Sequence, residues 1–330
     1  MMNTIAALSA RPSGMVKKSD FTIKNEEVRN LQDGEILVGI QYISLDPAIR
    51  GWMNEGTTYI KGVEIGEVMR TFSAGEIIAS KNDKYQVGEY VSGLLGAQKY
   101  AVSNGKGLTK CDLDKGPLTW HLGILGMPGM TAYFGLLEKG KPQKGETVFV
   151  LGAAGIVGST VGQIAKVKGC TVVGTAGSDA KCNYLLEECG FDVAINYKTE
   201  NVAEALKEHC PEGVHVVYDN VGGPMLDMAL LNLARGARVV ICGAISQYNK
   251  SPFYGPSNYM KIVTARGYIN GIIVFDYVNE YPKAVSEISD WLKSGKMNTK
   301  EHIIKGLENF PEAIQMLFTG ENFGKLILEV

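Results

Sequence analysis

One stretch constrains this fold more than any other. The apolar run Thr147-Val148-Phe149-Val150-Leu151 leads into the glycine-rich turn Gly152-Ala153-Ala154-Gly155-Ile156-Val157-Gly158, and a helical segment follows to about Lys168. A strand that turns through glycines into a helix points free N–H groups and the positive end of the helix dipole at one spot, which suits a pyrophosphate. Ala153-x-Gly155-x-x-Gly158 fits the dinucleotide fingerprint, with Ala in the first glycine's place. Gly155 lets the backbone approach a phosphate, and Gly158 lets the helix lie close to the strand. The bland alternative is a tight strand-to-helix turn with no ligand.

The rhythm around this turn repeats. Residues 171–175, 193–195, 214–218 and 237–241 read as further strands. Helical stretches lie between them, over about 179–189, over 200–209 and ending near 233. Apolar strands alternating with amphipathic segments predict a doubly wound parallel sheet over residues 119–298. Residues 1–118 differ in texture. Short β-like runs at 35–40, 75–79 and 89–93 are broken by Gly, Asp and Asn, which predicts an antiparallel, barrel-like unit. The tail, 299–330, ends in a strand at 324–330 that is expected to return to that first unit.

Composition excludes several classes. A length of 330 residues with 45% apolar content suits two globular domains, and a net charge of −2 offers nothing to nucleic acid or a membrane surface. No run of about 18 apolar residues exists, so no membrane span is expected, and the first residues do not read as a signal peptide. The six cysteines form no C-x-x-C pair and the four histidines are scattered, so no metal site and a cytoplasmic location are expected.

The end of the second strand bears on which dinucleotide is bound. An NAD site places Asp or Glu there to hold the ribose 2′-hydroxyl. Here the strand runs into Thr175-Ala176-Gly177-Ser178, and Lys181 follows within one helical turn. Small residues leave room for a 2′-phosphate and Lys181 can neutralise it, so NADP(H) is favoured. Asp179, beside them, argues mildly the other way.

At this point a resemblance carries the argument further. The words Gly126-Met127-Pro128-Gly129-Met130-Thr131-Ala132-Tyr133, Gly174-Thr175-Ala176-Gly177-Ser178-Asp179, Asn196-Tyr197-Lys198, Tyr218-Asp219-Asn220-Val221-Gly222-Gly223, Ile241-Cys242-Gly243-Ala244-Ile245-Ser246-Gln247-Tyr248-Asn249 and Gly320-Glu321-Asn322-Phe323-Gly324-Lys325 appear in order. They resemble the zinc-independent medium-chain reductases, which include prostaglandin reductases (leukotriene 12-hydroxydehydrogenases), plant double-bond reductases and curcumin-type reductases. Ser44-Leu45-Asp46-Pro47-Ala48-Ile49-Arg50-Gly51 matches more loosely. The resemblance implies an α/β fold, a Rossmann doubly wound sheet plus a GroES-like β-barrel catalytic domain. It implies reduction of the carbon–carbon double bond of an enone or enal by NADPH.

The same resemblance implies roles for positions. Gly155, Ile156, Val157 and Gly158 would line the pyrophosphate. Gly177, Ser178, Lys181 and Tyr197 would meet the 2′-phosphate. Asn220 would contact the cofactor beyond the fourth strand. Cys242, Gly243, Ala244, Ile245, Ser246 and Tyr248 would run past the nicotinamide, with Ile273 and Val274 beside it and Asn322 near its ribose. Tyr59 and Tyr248 would face the substrate. Tyr248 is the candidate catalytic residue, because a hydroxyl donor stabilises the negative charge that hydride addition drives onto the carbonyl oxygen. The proton for the α-carbon could come from Tyr248, a water or the cofactor ribose.

Zinc-dependent relatives carry a cysteine near Leu45 and Gly-His-Glu near Gly62-Val63-Glu64; neither is present here. Ala48, Lys61-Gly62 and Ala97 also depart from the common pattern, which reshapes the pocket. The stretch 266–276 reads as a strand a few residues longer than usual, and in relatives this strand supports a homodimer by edge pairing. Two alternatives stand beside the reading: a quinone reductase, and a low-activity NADP-binding sensor.

Overall fold

A computed structural model describes residues 1–330. The chain divides into two compact units, one of residues 1–123 with 301–330, the other of residues 124–300. No helix is long and apolar enough to cross a membrane.

The first unit begins with strands β1 (Met2–Leu8), β2 (Phe21–Glu27), β3 (Ile36–Ser44), β4 (Ser73–Ser80), β5 (Tyr90–Gly93), β6 (Tyr100–Ser103) and β7 (Thr109–Lys110). β3 is its hub, pairing antiparallel with both β4 and β6. Ile36, Val38 and Ile40, two apart along β3, share one face of the strand and enter the core with Ile77, Val91 and Phe310. The β1–β2 hairpin joins the rest through bridges at Ile5–Gln98 and Ala7–Val68. Its second strand, Phe-Thr-Ile-Lys-Asn-Glu-Glu, is mostly exposed, so it gives little apolar signal in the sequence.

The second unit holds six parallel strands: β8 (Thr147–Leu151), β9 (Thr171–Ala176), β10 (Val193–Asn196), β11 (Val214–Asp219), β12 (Leu233–Ile241) and β13 (Tyr268–Gly271). Their order in the sheet is β10-β9-β8-β11-β12-β13. Helices cover the faces, and Phe149, Val173, Val217 and Val239 pack with Leu206, Leu226 and Leu230 in one core. Element ends shift slightly from expectation. β12 starts at Leu233, four residues early, running through Arg235-Gly236, and the register of its pairing with β11 shifts there. The helix expected to begin at Glu200 begins at Val202, because Asn201 caps it by accepting the N–H groups of Ala203 and Glu204. In 266–276 only Tyr268–Gly271 is strand; Val274–Glu280 coils into a 3₁₀ turn whose Tyr277 stacks on Phe134 at 4.7 Å.

The chain then returns to the first unit. β14 (Glu301–Lys305) pairs parallel with β15 (Lys325–Glu329), and β15 pairs antiparallel with the end of β3.

Candidate active site at the carboxyl edge of the parallel sheet

Within the second unit, the expected cofactor residues all follow the carboxyl ends of strands. Residues 152–158 follow β8, 177–181 follow β9, Tyr197 follows β10, Asn220 follows β11, 242–248 follow β12 and 273–274 follow β13. β8 lies between β9 and β11, so the chain winds outward to opposite sides of it. Such a switch point opens a crevice at the carboxyl edge, where ligands of doubly wound sheets bind.

The turn after β8 is held from both sides. Gly152 N–H donates to Thr175 Oγ1 at 3.2 Å, and the Asn220 amide donates to Leu151 O at 2.9 Å. The helix Ile156–Val167 starts behind Gly155, and its first i→i−4 bond runs from Ser159 N–H to Gly155 O. The N–H groups of Ile156, Val157 and Gly158 therefore have no partner inside the helix, as at any helix start. A Cβ on Gly155 would meet nothing nearer than 3.7 Å, so its outer side is open. A Cβ on Gly158 would lie 2.5 Å from Gly152 O and 2.6 Å from Ala153 Cα, both rigid backbone, so glycine is what allows the helix to lie this close.

The corner beyond β9 is cationic. Ser178 caps the helix Asp179–Glu187, its hydroxyl accepting the Lys181 N–H. Tyr197 lies over Gly177, where a Cβ would come within 2.7 Å of the tyrosine hydroxyl. Lys181 is half-buried, and burial followed by the neighbouring Lys198 ammonium pushes its pKa down. Asp179 does not face this corner alone: its carboxylate accepts from Asn196 Nδ2 at 2.6 Å.

At the centre sits Asp219, fully buried, with Oδ1 accepting from Val221 and Gly222 N–H at 2.8 Å each and Oδ2 without a partner. Burial pushes its carboxyl up to about 6, against those two N–H bonds. Its backbone oxygen accepts from the N–H groups of Cys242 and Gly243, so one residue ties two loops. The loops are further zipped by Ile245 N–H to Asn220 O and by Ser246 N–H and hydroxyl to Val221 O. Gly223, at φ +61°, allows this approach; a Cβ there would run into the Gln247 side chain. Tyr248 folds back over its own loop, its hydroxyl accepting from Ala244 N–H at 3.2 Å. Accepting a bond polarises that O–H toward donation. The Cys242 thiol, pushed up to about 12 by burial, stays neutral.

The loop beyond Tyr248 is anchored by Asp227, a residue of the helix Gly223–Leu230. Its carboxylate accepts from Tyr254 Oη, Ser257 Oγ and Asn258 N–H at 2.6, 2.8 and 2.7 Å. Fully buried Gln247 adds an acceptor for Tyr254 N–H at 3.1 Å.

The remaining expected residues are spread. Val274 is buried, whereas Ile273 is 39% exposed. Tyr59 and Asn322 belong to the first unit: the exposed Tyr59 accepts from Trp52 Nε1, and the Asn322 amide donates to Gly324 O. Leu45 and Val63, where zinc ligands stand in other relatives, are buried apolar residues. No three His, Cys, Asp or Glu side chains group in a way that could hold a metal ion. Asp219, Asn196, Lys198 and Asp227 were not singled out from sequence; for the first three the clue was adjacency to Asn220 or Tyr197, and for Asp227 there was none.

With this geometry in view, known proteins are informative. Residues 5–111 match the family described as "N-terminal domain of oxidoreductase", and residues 157–290 that described as "Zinc-binding dehydrogenase". The NADPH-dependent curcumin reductase of Escherichia coli is 39% identical over 98% of this chain and 95% of its own length. The chain belongs to the zinc-independent medium-chain reductases. Within this family, the 2-alkenal reductase (NADP(+)-dependent) of Nicotiana tabacum is 40% identical over 96% of this chain and 94% of its own. The crystal structure of CurA from Vibrio vulnificus in complex with NADPH superposes with a TM-score of 0.94, at 37% identity, covering 99% of both chains. As in any reductase of this family, the site must take a phosphorylated dinucleotide, and the residues present fit one: an open cradle at Gly155, unbonded helix-start N–H groups, and two lysines at the corner beyond β9.

Proposed function

We propose that this chain is an NADPH-dependent reductase of the carbon–carbon double bond in α,β-unsaturated ketones and aldehydes, working without zinc. The observation that carries this reading is the convergence, on one sheet edge, of a phosphate cradle, a cationic corner and the Tyr248 hydroxyl. Similarity over nearly the whole chain to a curcumin reductase and a 2-alkenal reductase supports the same substrate class.

In this reading Gly155, Ile156, Val157 and Gly158 hold the pyrophosphate through backbone N–H groups. Gly177, Ser178, Lys181 and Tyr197 hold the 2′-phosphate. Asn220, 242–246, Ile273 and Val274 border the nicotinamide half, and Asn322 is assigned to its ribose. When bound, NADPH supplies the hydride that reaches the β-carbon of the substrate. Tyr248 donates a hydrogen bond to the carbonyl oxygen, which gathers negative charge as the β-carbon is reduced, and the α-carbon is then protonated. Oxyanion stabilisation by a fixed donor raises kcat more than it lowers KM, because the charge is largest in the transition state. Tyr59 is assigned to the substrate.

Consumption of NADPH, followed by its near-ultraviolet absorbance, is expected with enals and enones, and far less with NADH. Tyr248→Phe is expected to lower kcat about a hundredfold with KM little changed. No turnover with any enal or enone defeats the reading, and turnover with quinones alone replaces it with the quinone-reductase alternative.

The partner at the protein level is read as a second copy. β13 is an edge strand, and Tyr268 and Ile269 on it, with Tyr259, Met260 and Val263 before it, are 43–64% exposed. An exposed apolar strand edge favours symmetric pairing with its twin. Six unpaired thiols, five of them buried, suit the reducing cytoplasm.

A further inference from the structure

The cationic corner contains a contradiction. Lys181 and Lys198 share this corner, where burial and then the Lys198 ammonium push the Lys181 pKa down, a setting that favours an anion. Yet Asp179, at the first position of the helix Asp179–Glu187 and in the same turn as Lys181, brings a carboxylate to that corner. A free carboxylate there would neutralise the lysines, repel a phosphate and accept from a ribose hydroxyl, which is how NAD sites discriminate.

Asn196 resolves it. This residue ends β10, is 6% exposed, and its orientation is fixed. Its N–H donates to Glu200 Oε1 at 2.7 Å, and its Oδ1 accepts the Lys198 N–H at 3.2 Å. With the oxygen so engaged, the amide nitrogen must face the other way. It donates to Asp179 Oδ1 at 2.6 Å. We propose that Asn196 is a positioning residue for coenzyme choice: by fastening the Asp179 carboxylate to the end of β10, it leaves Lys181 and Lys198 to meet the 2′-phosphate unopposed. This inference rests on the NADPH reading and adds the determinant of its selectivity.

The test compares affinities of the whole protein for adenosine 2′,5′-bisphosphate and for 5′-AMP by calorimetry, so it does not depend on turnover. The wild type is expected to prefer the bisphosphate. Asn196→Ala is expected to reduce that preference about tenfold, the order of one like charge released near a phosphate at the surface. In an Asp179→Asn background, which removes the charge but keeps the shape, Asn196→Ala is expected to change the preference by less than about twofold. That background also serves if Asn196→Ala alone folds poorly, since Asp179→Asn by itself is expected to keep or raise the preference. An unchanged preference in Asn196→Ala, an equal loss in both backgrounds, or a fall in preference on Asp179→Asn overturns the inference while leaving the coenzyme reading intact. A wild type indifferent to the 2′-phosphate overturns both.

Discussion

Each unit buries a carboxylate beside a segment expected to serve the site, and the two are held by different means. In the first unit, Asp46 follows Leu45 in the turn after β3, and fully buried Lys325 reaches it at 2.9 Å while also donating to Leu45 O at 2.8 Å. The Ser44 hydroxyl donates to the second Asp46 oxygen. In the second unit, Asp219 has no cation. Two backbone N–H groups hold one oxygen, the other has no donor, and burial pushes the carboxyl up to about 6. A buried charge can be matched by a counter-charge, or its cost can fall on the charged form and move the pKa. The first unit uses the former, which makes its turn depend on one partner. The second uses the latter, which makes its loops depend on pH.

The largest effect that could break this contrast is on the ion pair. Lys325→Met leaves Asp46 buried without a cation and is expected to cost about 3–5 kcal/mol in urea unfolding. Adding Asp46→Leu is expected to recover most of it; no recovery would mean that Lys325 acts through Leu45 O instead. The next effect is on Asp219. A carboxyl raised in the fold from its ordinary 3.8 to about 6 binds its proton more tightly folded than unfolded. The contribution of Asp219 to stability is thus most favourable below about pH 4, falls as pH climbs from about 4 to about 6, and carries the full penalty above that. Asp219→Asn keeps an acceptor for Val221 and Gly222 but cannot ionise. Relative to its value at pH 4, its stability at pH 8 is expected to gain about 2–3 kcal/mol on the wild type's; parallel pH profiles would place a hidden cation beside Asp219. The smallest effect sharpens the role of neutral donors: Tyr254→Phe removes one of the donors to the Asp227 carboxylate and is expected to cost about 1 kcal/mol. Faster amide exchange confined to 248–260 would accompany it.

Most of the parallel sheet was legible because strands covered by helices on both faces are continuous apolar runs, as in β8 and β11. β13 was harder: Tyr268 and Ile269 are exposed and Asn270 only half-buried, so its neighbours' pattern, not its own, marks its place. The close lie of the helix at Gly158 was legible because it is a matter of backbone room. Asp179 was read as an objection to NADP(H), and nothing in sequence could answer it, since the answer is the direction of an amide 17 residues away. Asp219 escaped for a similar reason: its importance lies in a buried oxygen that no hydrogen-bond donor reaches. Asp227 and Tyr254 are 27 residues apart and meet only through the turn of the loop.

That last meeting has a practical reach. From β11 onward the helix Gly223–Leu230, the Tyr248 segment and the stretch to Asn258 are joined by the bonds of Ser246 to Val221 and of Tyr254, Ser257 and Asn258 to Asp227. The block should therefore travel as a cassette: grafted whole into a sister scaffold it would bring its tyrosine in working posture, whereas the short Tyr248 segment alone would keep the Ala244–Tyr248 bond but lose the Asp219, Asn220 and Val221 oxygens that hold its loop.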